Sequence, residues 1–128
     1  MRQTRTLHPW LFWPSVLGAA FLLARALTTL LMGASFAAPG DGWRSLWQLL
    51  IAAVLLAGAV RPEWARATVG FVGAVYAVST GLELVDPTEL LGVIPVDMRD
   101  RVVHPTIAIV AFGCLARDGA VARRAIAA

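Results

Sequence analysis

Residues 43–85 read WRSLWQLLIAAVLLAGAVRPEWARATVGFVGAVYAVSTGLELV, and they contain two long apolar stretches joined by a short polar connection. The apolar stretches are residues 43–60 and 67–85, and each is close to the roughly 20 residues that a helix needs to cross a bilayer core. The connection RPEWAR is short, and short connections make consecutive helices antiparallel neighbours. This part of the chain therefore predicts a helical hairpin in a membrane.

The rest of the chain adds an apolar segment on each side of this hairpin. Residues 11–32 are apolar apart from Arg25, and residues 102–116 form a fourth, shorter segment that needs flanking residues or a thinner bilayer. Of the 128 residues, 59% are hydrophobic and 15% are charged, whereas soluble domains have roughly 25% charged residues. We therefore predict an all-α integral membrane protein, a single domain over residues 1–128 with four transmembrane helices in an antiparallel bundle.

The arginines predict the orientation of this bundle. Seven of them lie before helix 1, between helices 2 and 3, or after helix 4, whereas three lie in the opposite loops together with acidic residues. The positive-inside rule then places both termini in the cytoplasm. Arginine as the sole basic residue type and abundant alanine suggest a bacterium, so the expected location is the bacterial plasma membrane. The seven are Arg2, Arg5, Arg61, Arg66, Arg117, Arg123 and Arg124.

The loop before the fourth segment carries a helix-start pattern. Asp86 is a capping residue, Pro87 follows at the first helical position, and Glu89 stands at the third. The pattern predicts a short interfacial helix across ELLGV, residues 89–93, which Pro95 then ends.

Helix 3 carries a stripe of small residues at spacings of three and four. Such stripes let membrane helices approach each other closely, and we interpret this one as a packing surface within or between protomers. The stripe consists of Gly70, Gly73, Ala74, Ala77 and Gly81.

Each predicted helix has one strongly polar residue at a similar depth near its outer end. Arg25 lies about 21 Å above the inner end of helix 1, and Glu83 about 24 Å above that of helix 3. Gln48 and His104 enter the same layer from the other two helices. A charge in hydrocarbon costs at least about 2.5 kcal/mol, so Arg25 and Glu83 are expected to pair. Two interpretations remain open: a structural ion pair, or a polar cup, open to the outside, that binds a proton, an ion or a small ligand.

A second group of charges precedes the fourth segment, in residues 95–105, PVDMRDRVVHP. Asp100 and His104 are four residues apart and share a helix face, so Asp100 is expected to cap the helix and to hold the histidine ring. We interpret the group as a helix entrance above the polar layer, with Asp97 and Arg101 in contact with solvent.

The same residues offer only a weak case for catalysis. Glu83, Asp100 and His104 would supply three metal ligands, but they follow no known metal-site spacing. Ser79 and Thr106 lie in no recognisable nucleophile setting. We therefore predict no catalytic residue, no metal and no cofactor.

Residues 66–117 resemble the C-terminal half of small four-helix actinobacterial membrane proteins grouped as the DUF4383 family. Those proteins have a third helix with glycine and tyrosine and then a P-V-N-x-x-D-N-x-x-H pattern. This chain differs at Asp97 and Arg101, where the family has asparagine, and at Pro105 and Ala108. The first half, with an arginine in helix 1, is more faintly similar to DoxX-type four-helix proteins. The matching residues are Pro95, Val96, Asp100 and His104.

The leading functional hypothesis is a non-enzymatic membrane module, an accessory or interaction subunit of a homo-oligomer or a larger membrane complex. Its expected partners are the lipid bilayer and other membrane subunits, and the net charge of +3 is no nucleic-acid signal, because the arginines lie at the ends of apolar segments. One alternative is a transport or ligand-binding protein that uses the polar cup. The resemblance to DoxX-type proteins implies a second, a membrane redox component.

Overall fold

The computed structural model describes residues 9–127 and confirms the all-α prediction. Each of the four long helices is long and apolar enough to cross a membrane. A single 3₁₀ turn, Pro62–Trp64, links the second and third of them. The helices are α1 (Pro9–Leu31), α2 (Asp41–Val60), α3 (Ala65–Val85) and α4 (Asp100–Ala127).

All four helices begin two residues before their predicted starts, but α4 ends much later than predicted. It has 28 residues and continues past residue 116, where the apolar segment ends. The continuation RDGAVARRAIA is rich in alanine and arginine, which have high helix propensity. The helix therefore continues beyond the end of the apolar segment. At 1.5 Å per residue α4 is about 42 Å long, more than the roughly 30 Å of a bilayer core.

The helices pack as two hairpins. α1 lies along α2 and α3 along α4, α2 and α3 are also neighbours, and α1 and α4 contact each other less extensively. The main buried cluster takes residues from all four helices, among them Leu22, Ile51 and Val72. A second cluster, around Leu11 and Val69, lies nearer the start of α1.

The small-residue stripe of α3 is divided between two surroundings. Gly73 is buried, and a Cβ atom there would lie 3.0 Å from the Cβ of Ala111 on α4. Gly70 lies near Leu115 of the same helix. Ala74, Ala77 and Gly81 face outward and are exposed.

The predicted short helix before α4 is wrong, because residues 89–95 form a β hairpin. β1 (Glu89–Leu90) pairs antiparallel with β2 (Ile94–Pro95). Leu91 and Gly92 have φ angles of 56° and 71°, the positive values that a type I′ turn requires. Asp86 does accept bonds from the amides of Thr88 and Glu89, as a cap would. The few residues before Pro95 include a glycine and are too few for a stable helix.

The hairpin is also tied to the loop between α1 and α2. The backbone N–H of Gly40 donates to the carbonyl of Val93 at 3.0 Å. Leu90 is 7% exposed and points into the helices. The two loops thus form one lid over the same end of the four helices.

Candidate functional site

Asp100, at the start of α4, is an almost completely buried carboxylate with 1% exposure. Its Oδ1 accepts a hydrogen bond from Arg25 Nη1 of α1 at 3.1 Å. Its Oδ2 accepts one from Arg44 Nη1 of α2 at 3.2 Å. One carboxylate therefore joins three helices through charge-assisted hydrogen bonds, which are about twice as strong as neutral ones.

Asp97 extends this arrangement to the surface. Its Oδ1 accepts from the backbone N–H groups of Arg99 and Asp100, at 2.8 and 3.1 Å, while Asp100 Oδ2 accepts from the Asp97 N–H. This reciprocal pattern is a capping box in which Asp97 is the N-cap residue and Asp100 takes part from the position three residues later, so the expectation that Asp100 caps α4 is correct only in part. Arg44 Nη1 also lies 3.3 Å from Asp97 Oδ2. We call these four residues, Arg25, Arg44, Asp97 and Asp100, the Asp100 network.

The capping bonds also act on the ionisation of Asp97. Partial burial raises the pKa of its carboxyl, but the amide hydrogen bonds from Asp100 and Arg99 and the charge of Arg44 lower it by more. The pKa of Asp97 consequently lies below its ordinary value of 3.8.

A second polar contact joins α3 to α4 beside the Asp100 network. Glu83 Oε1 contacts His104 Nδ1, and both side chains are largely buried. The ring of Tyr76 lies 5.1 Å from the His104 ring, centroid to centroid. Histidine is therefore held by Glu83 and not by Asp100.

The predicted ion pair between Arg25 and Glu83 is consequently wrong. Among residues 9–127, Arg25 pairs with Asp100, and Glu83 pairs with His104. Residue counting gives the two residues similar depths, but the structure gives them different partners. Depth along a helix follows from residue number, whereas the direction of a side chain depends on how the helices are packed.

A cavity of about 20 Å³ lies between the Asp100 network and the Glu83–His104 pair. Its polar lining includes Gln48, Ser79 and Tyr76, and the hairpin residues Leu90 and Ile94 line its loop side. A single water needs roughly 10–15 Å³ of such volume, so the space fits a water molecule or a small ion. It is too small for an organic ligand.

Of the four residues of the predicted polar layer, Gln48 and His104 line this cavity. The other two contact lining residues, Arg25 through Asp100 and Glu83 through His104. Gln48 and Glu83 are buried, and Arg25 and His104 are half-buried. In the predicted entrance cluster, Asp97 and Asp100 belong to the network, while Arg101 is exposed and donates to the carbonyl of Pro87.

Arg44 is the participant that the sequence analysis missed. Its position in the first turn of α2 suggested a loop charge in contact with water. It precedes Gln48 by four residues, however, and residues four apart lie on one helix face. That spacing was the available signal, since Gln48 was already assigned to the polar layer.

The three proposed metal ligands do not converge on one point. Asp100 is engaged by two arginines, whereas Glu83 and His104 contact each other. Within the part of the chain that the structure describes, no group of three or more His, Cys, Asp and Glu side chains could hold a metal ion.

The opposite end of the helices has its own charges and aromatic rings. Arg66 of α3 pairs with Asp118 of α4. The guanidinium of Arg117 lies 4.2 Å from the centre of the Trp10 ring, and that of Arg61 lies 4.5 Å from the Trp64 ring. Arg2 and Arg5, predicted for this end, lie outside the described residues.

Comparison with known protein families gives a match over most of the chain. A family model described as "Domain of unknown function (DUF4383)" matches residues 12–116. The match runs from α1 into α4 and so extends well beyond the C-terminal half in which the resemblance was noted. No curated protein and no solved structure matches the chain.

Proposed function

Because the chain belongs to the DUF4383 family, whose description assigns no activity, we propose a function from the chain's own residues. The protein is a small multi-pass membrane protein, and we propose that it acts as a non-enzymatic interaction subunit. In this role it associates with copies of itself or with other subunits of a membrane complex. Its buried polar residues then serve to hold the four helices together.

The pairing of the buried charges is the observation that carries this proposal. Asp100 uses both carboxylate oxygens on arginines, and Glu83 contacts His104. Among the described residues, no buried side-chain nitrogen or oxygen lacks a hydrogen-bond partner. The buried charges are therefore occupied by one another, which is the arrangement expected of a structural brace.

The exposed face of α3 supports an interaction role. Ala74, Ala77 and Gly81 lie on this face, and a Cβ atom at Gly81 would meet nothing within 4 Å. Small residues on a lipid-facing surface let a second transmembrane helix approach closely. This face therefore offers a contact for another membrane helix.

The proposed orientation has both termini in the cytoplasm of a bacterial cell. Four crossings place the two ends of the chain on the same side. Arg61, Arg66 and Arg117 collect at that end, together with Trp10 and Trp64. Arginines on the cytoplasmic side and tryptophans at the interface are typical of this orientation.

Extraction into native lipid particles followed by intact-complex mass spectrometry tests the interaction role. We expect an assembly heavier than one chain, and Ala77→Leu should dissociate it because the added side chain separates the helices. Ala53→Leu is the matched control, since it adds the same side chain at an exposed position of a different helix, α2. A wild-type protein that appears only as a single chain would contradict the proposal.

Proton or ion binding is a second candidate, favoured by the Glu83–His104 contact beside a cavity that fits a water molecule. Vesicles that contain the purified protein and an internal pH-sensitive dye test it. Proton entry under a pH gradient that disappears with Glu83→Gln would support this role over the first. A DoxX-like redox role stays a prediction, and an absorbance spectrum of the purified protein addresses it.

A further inference from the structure

α1 and α4 contact each other at two distant points. At one end, Arg25 of α1 bonds Asp100 of α4 at 3.1 Å. At the other end, the Arg117 guanidinium of α4 covers the Trp10 ring of α1 at 4.2 Å. Trp10 and Arg25 are separated by about 22 Å along α1, at 1.5 Å per residue.

Between these two contacts the helices enclose an apolar crevice of about 800 Å³. Its walls are formed by α1 and α4, through residues such as Leu17, Phe21 and Val110. Its floor reaches Leu55 of α2 and Val72 of α3. The side-chain hydroxyl of Thr106 also lines the crevice, but it already donates to the carbonyl of Val102 at 2.6 Å.

The shape of the crevice restricts what can occupy it. A helix is about 10–12 Å wide with its side chains, and α1 and α4 are held together at both ends of the crevice. A helix from another copy cannot enter between them to reach Leu55 and Val72. A flexible hydrocarbon chain can do so, because it is slender and needs no hydrogen bonds.

The Trp10 end of the crevice has a cation available for a headgroup. Arg117 is exposed there, and the neighbouring Asp118 is engaged by Arg66. At the other end, Arg25 is already paired with buried Asp100. Arginine binds phosphate oxygens through paired N–H groups, and tryptophan favours the headgroup level.

We propose that the crevice between α1 and α4 is a binding site for one anionic phospholipid. An acyl chain lies along the apolar walls, and the phosphate group contacts Arg117 beside Trp10. The site differs from the Asp100 network and from the exposed face of α3. It requires that the chain lie in a membrane, but it does not depend on the interaction role.

Native mass spectrometry of the purified protein in detergent tests the site. The probe is an equimolar mixture of phosphatidylglycerol and phosphatidylethanolamine with identical acyl chains. We expect one retained lipid per chain, with a preference for phosphatidylglycerol of about tenfold, equivalent to about 1.4 kcal/mol. Both headgroups offer a phosphate to Arg117, but phosphatidylethanolamine also carries an ammonium group, which competes for that phosphate and repels the guanidinium. Arg117→Gln should abolish this preference, whereas the matched charge change Arg124→Gln, two turns further along α4, should preserve it.

A second variant tests the crevice itself. Cys114 lines the wall of α4, and Cys114→Phe should fill the space and reduce retention of both lipids several-fold. Circular dichroism checks that the Cys114→Phe variant folds. If it does not fold, the test with Arg117→Gln still applies, because Arg117 is exposed. Absence of a bound lipid, or equal headgroup preference in the two arginine variants, would overturn the proposal. A dimer without lipid that Cys114→Phe disrupts would overturn it as well, with a second copy as the occupant of the crevice. The interaction role is tested separately by Ala77→Leu on the exposed face of α3, so failure of the lipid proposal and failure of the interaction role give different results.

Discussion

Asp100 determines the stability of the charge network, because two guanidinium groups depend on one buried carboxylate. Asp100→Ala leaves Arg25 without its partner and removes one of the two partners of Arg44. Breaking a buried pair from one side costs about 3–5 kcal/mol, so we expect a loss of that size in the free energy of unfolding. Unfolding titrations in detergent measure this loss. The half-exposed Asp97 provides the comparison. Asp97→Ala should cost only about 1 kcal/mol, because it removes the helix cap. A double variant with Arg25→Ala should recover part of the loss.

The charge of Asp97 makes the stability of the protein depend on pH under acidic conditions. Because the pKa of Asp97 is lowered in the folded protein, its stabilising charge is fully present above the ordinary value of 3.8. The contribution is lost as the pH falls through the lower, folded value. Asp97→Asn keeps a capping oxygen but no charge, so it should cost about 0.2–1 kcal/mol at pH 6. The gap between variant and wild type should narrow as the pH falls below 3.8, and a constant gap would contradict the assignment.

For individual residues, the sequence predicted most members of the polar cluster but not the pairwise contacts between them. Counting residues along each helix placed Arg25 and Glu83 in one layer, and both line the region between the helices. The partner of each depended on helix rotation, which follows from the packing of all four helices together. Asp100 is predicted from the sequence as a residue at the start of α4, but its burial depends on pairing with Arg25 and Arg44 of two other helices, which local sequence does not specify.

Among the elements, the β hairpin carries a residue in an unfavourable conformation. Leu91 has a φ of 56° and a side chain that is 83% exposed. A left-handed conformation costs a leucine roughly 1–2 kcal/mol, whereas asparagine adopts it readily. Leu91→Asn should therefore stabilise the protein by about 1 kcal/mol, measured as a rise in the thermal unfolding midpoint. Val93→Asn, whose position carries no positive φ, is the control, and an equal gain there would contradict the reason given.

Two glycines of α3 provide a paired test of helix packing. Gly73→Ala introduces a methyl group 3.0 Å from the Cβ of Ala111, and overpacking of this kind costs about 1–3 kcal/mol. Gly81→Ala meets nothing within 4 Å, so it should stabilise the helix by up to about 1 kcal/mol. Unfolding of both variants in detergent measures the two effects. Changes of the same sign would show that α3 and α4 pack differently from the arrangement described.

Hydropathy predicted the number of long helices and most of their boundaries, but it failed at the end of α4. The start of α4 depends on the capping box of Asp97 and Asp100. Its end depends on the helix propensity of alanine and arginine beyond residue 116. The β hairpin before α4 was not predicted, because Asp86 makes the same hydrogen bonds as a helix cap. Leu91 and Gly92 then adopt positive φ angles and reverse the chain direction.

On the scale of the whole molecule, the proposed orientation makes a direct prediction. A reporter enzyme that is active only outside the cytoplasm should be inactive when fused after Ala128. The same reporter should be active when inserted after Pro39, in the loop between α1 and α2. The reason is the collection of arginines at the end of the molecule that holds both termini. Activity at the C-terminus would contradict the orientation.

The contacts of Asp100 also bear on the order in which the chain is built. Arg25 and Arg44 are synthesised 75 and 56 residues before the carboxylate that pairs with them. At 5–20 residues per second, Arg25 waits about 4–15 s for that partner. During this interval the nascent chain holds two arginines near hydrocarbon, without the partner that stabilises them later. The charge network is thus complete only after the start of α4 has been synthesised. A chain that ends before Asp100 leaves Arg25 without its carboxylate partner, and a quality-control protease can recognise such an unpaired charge.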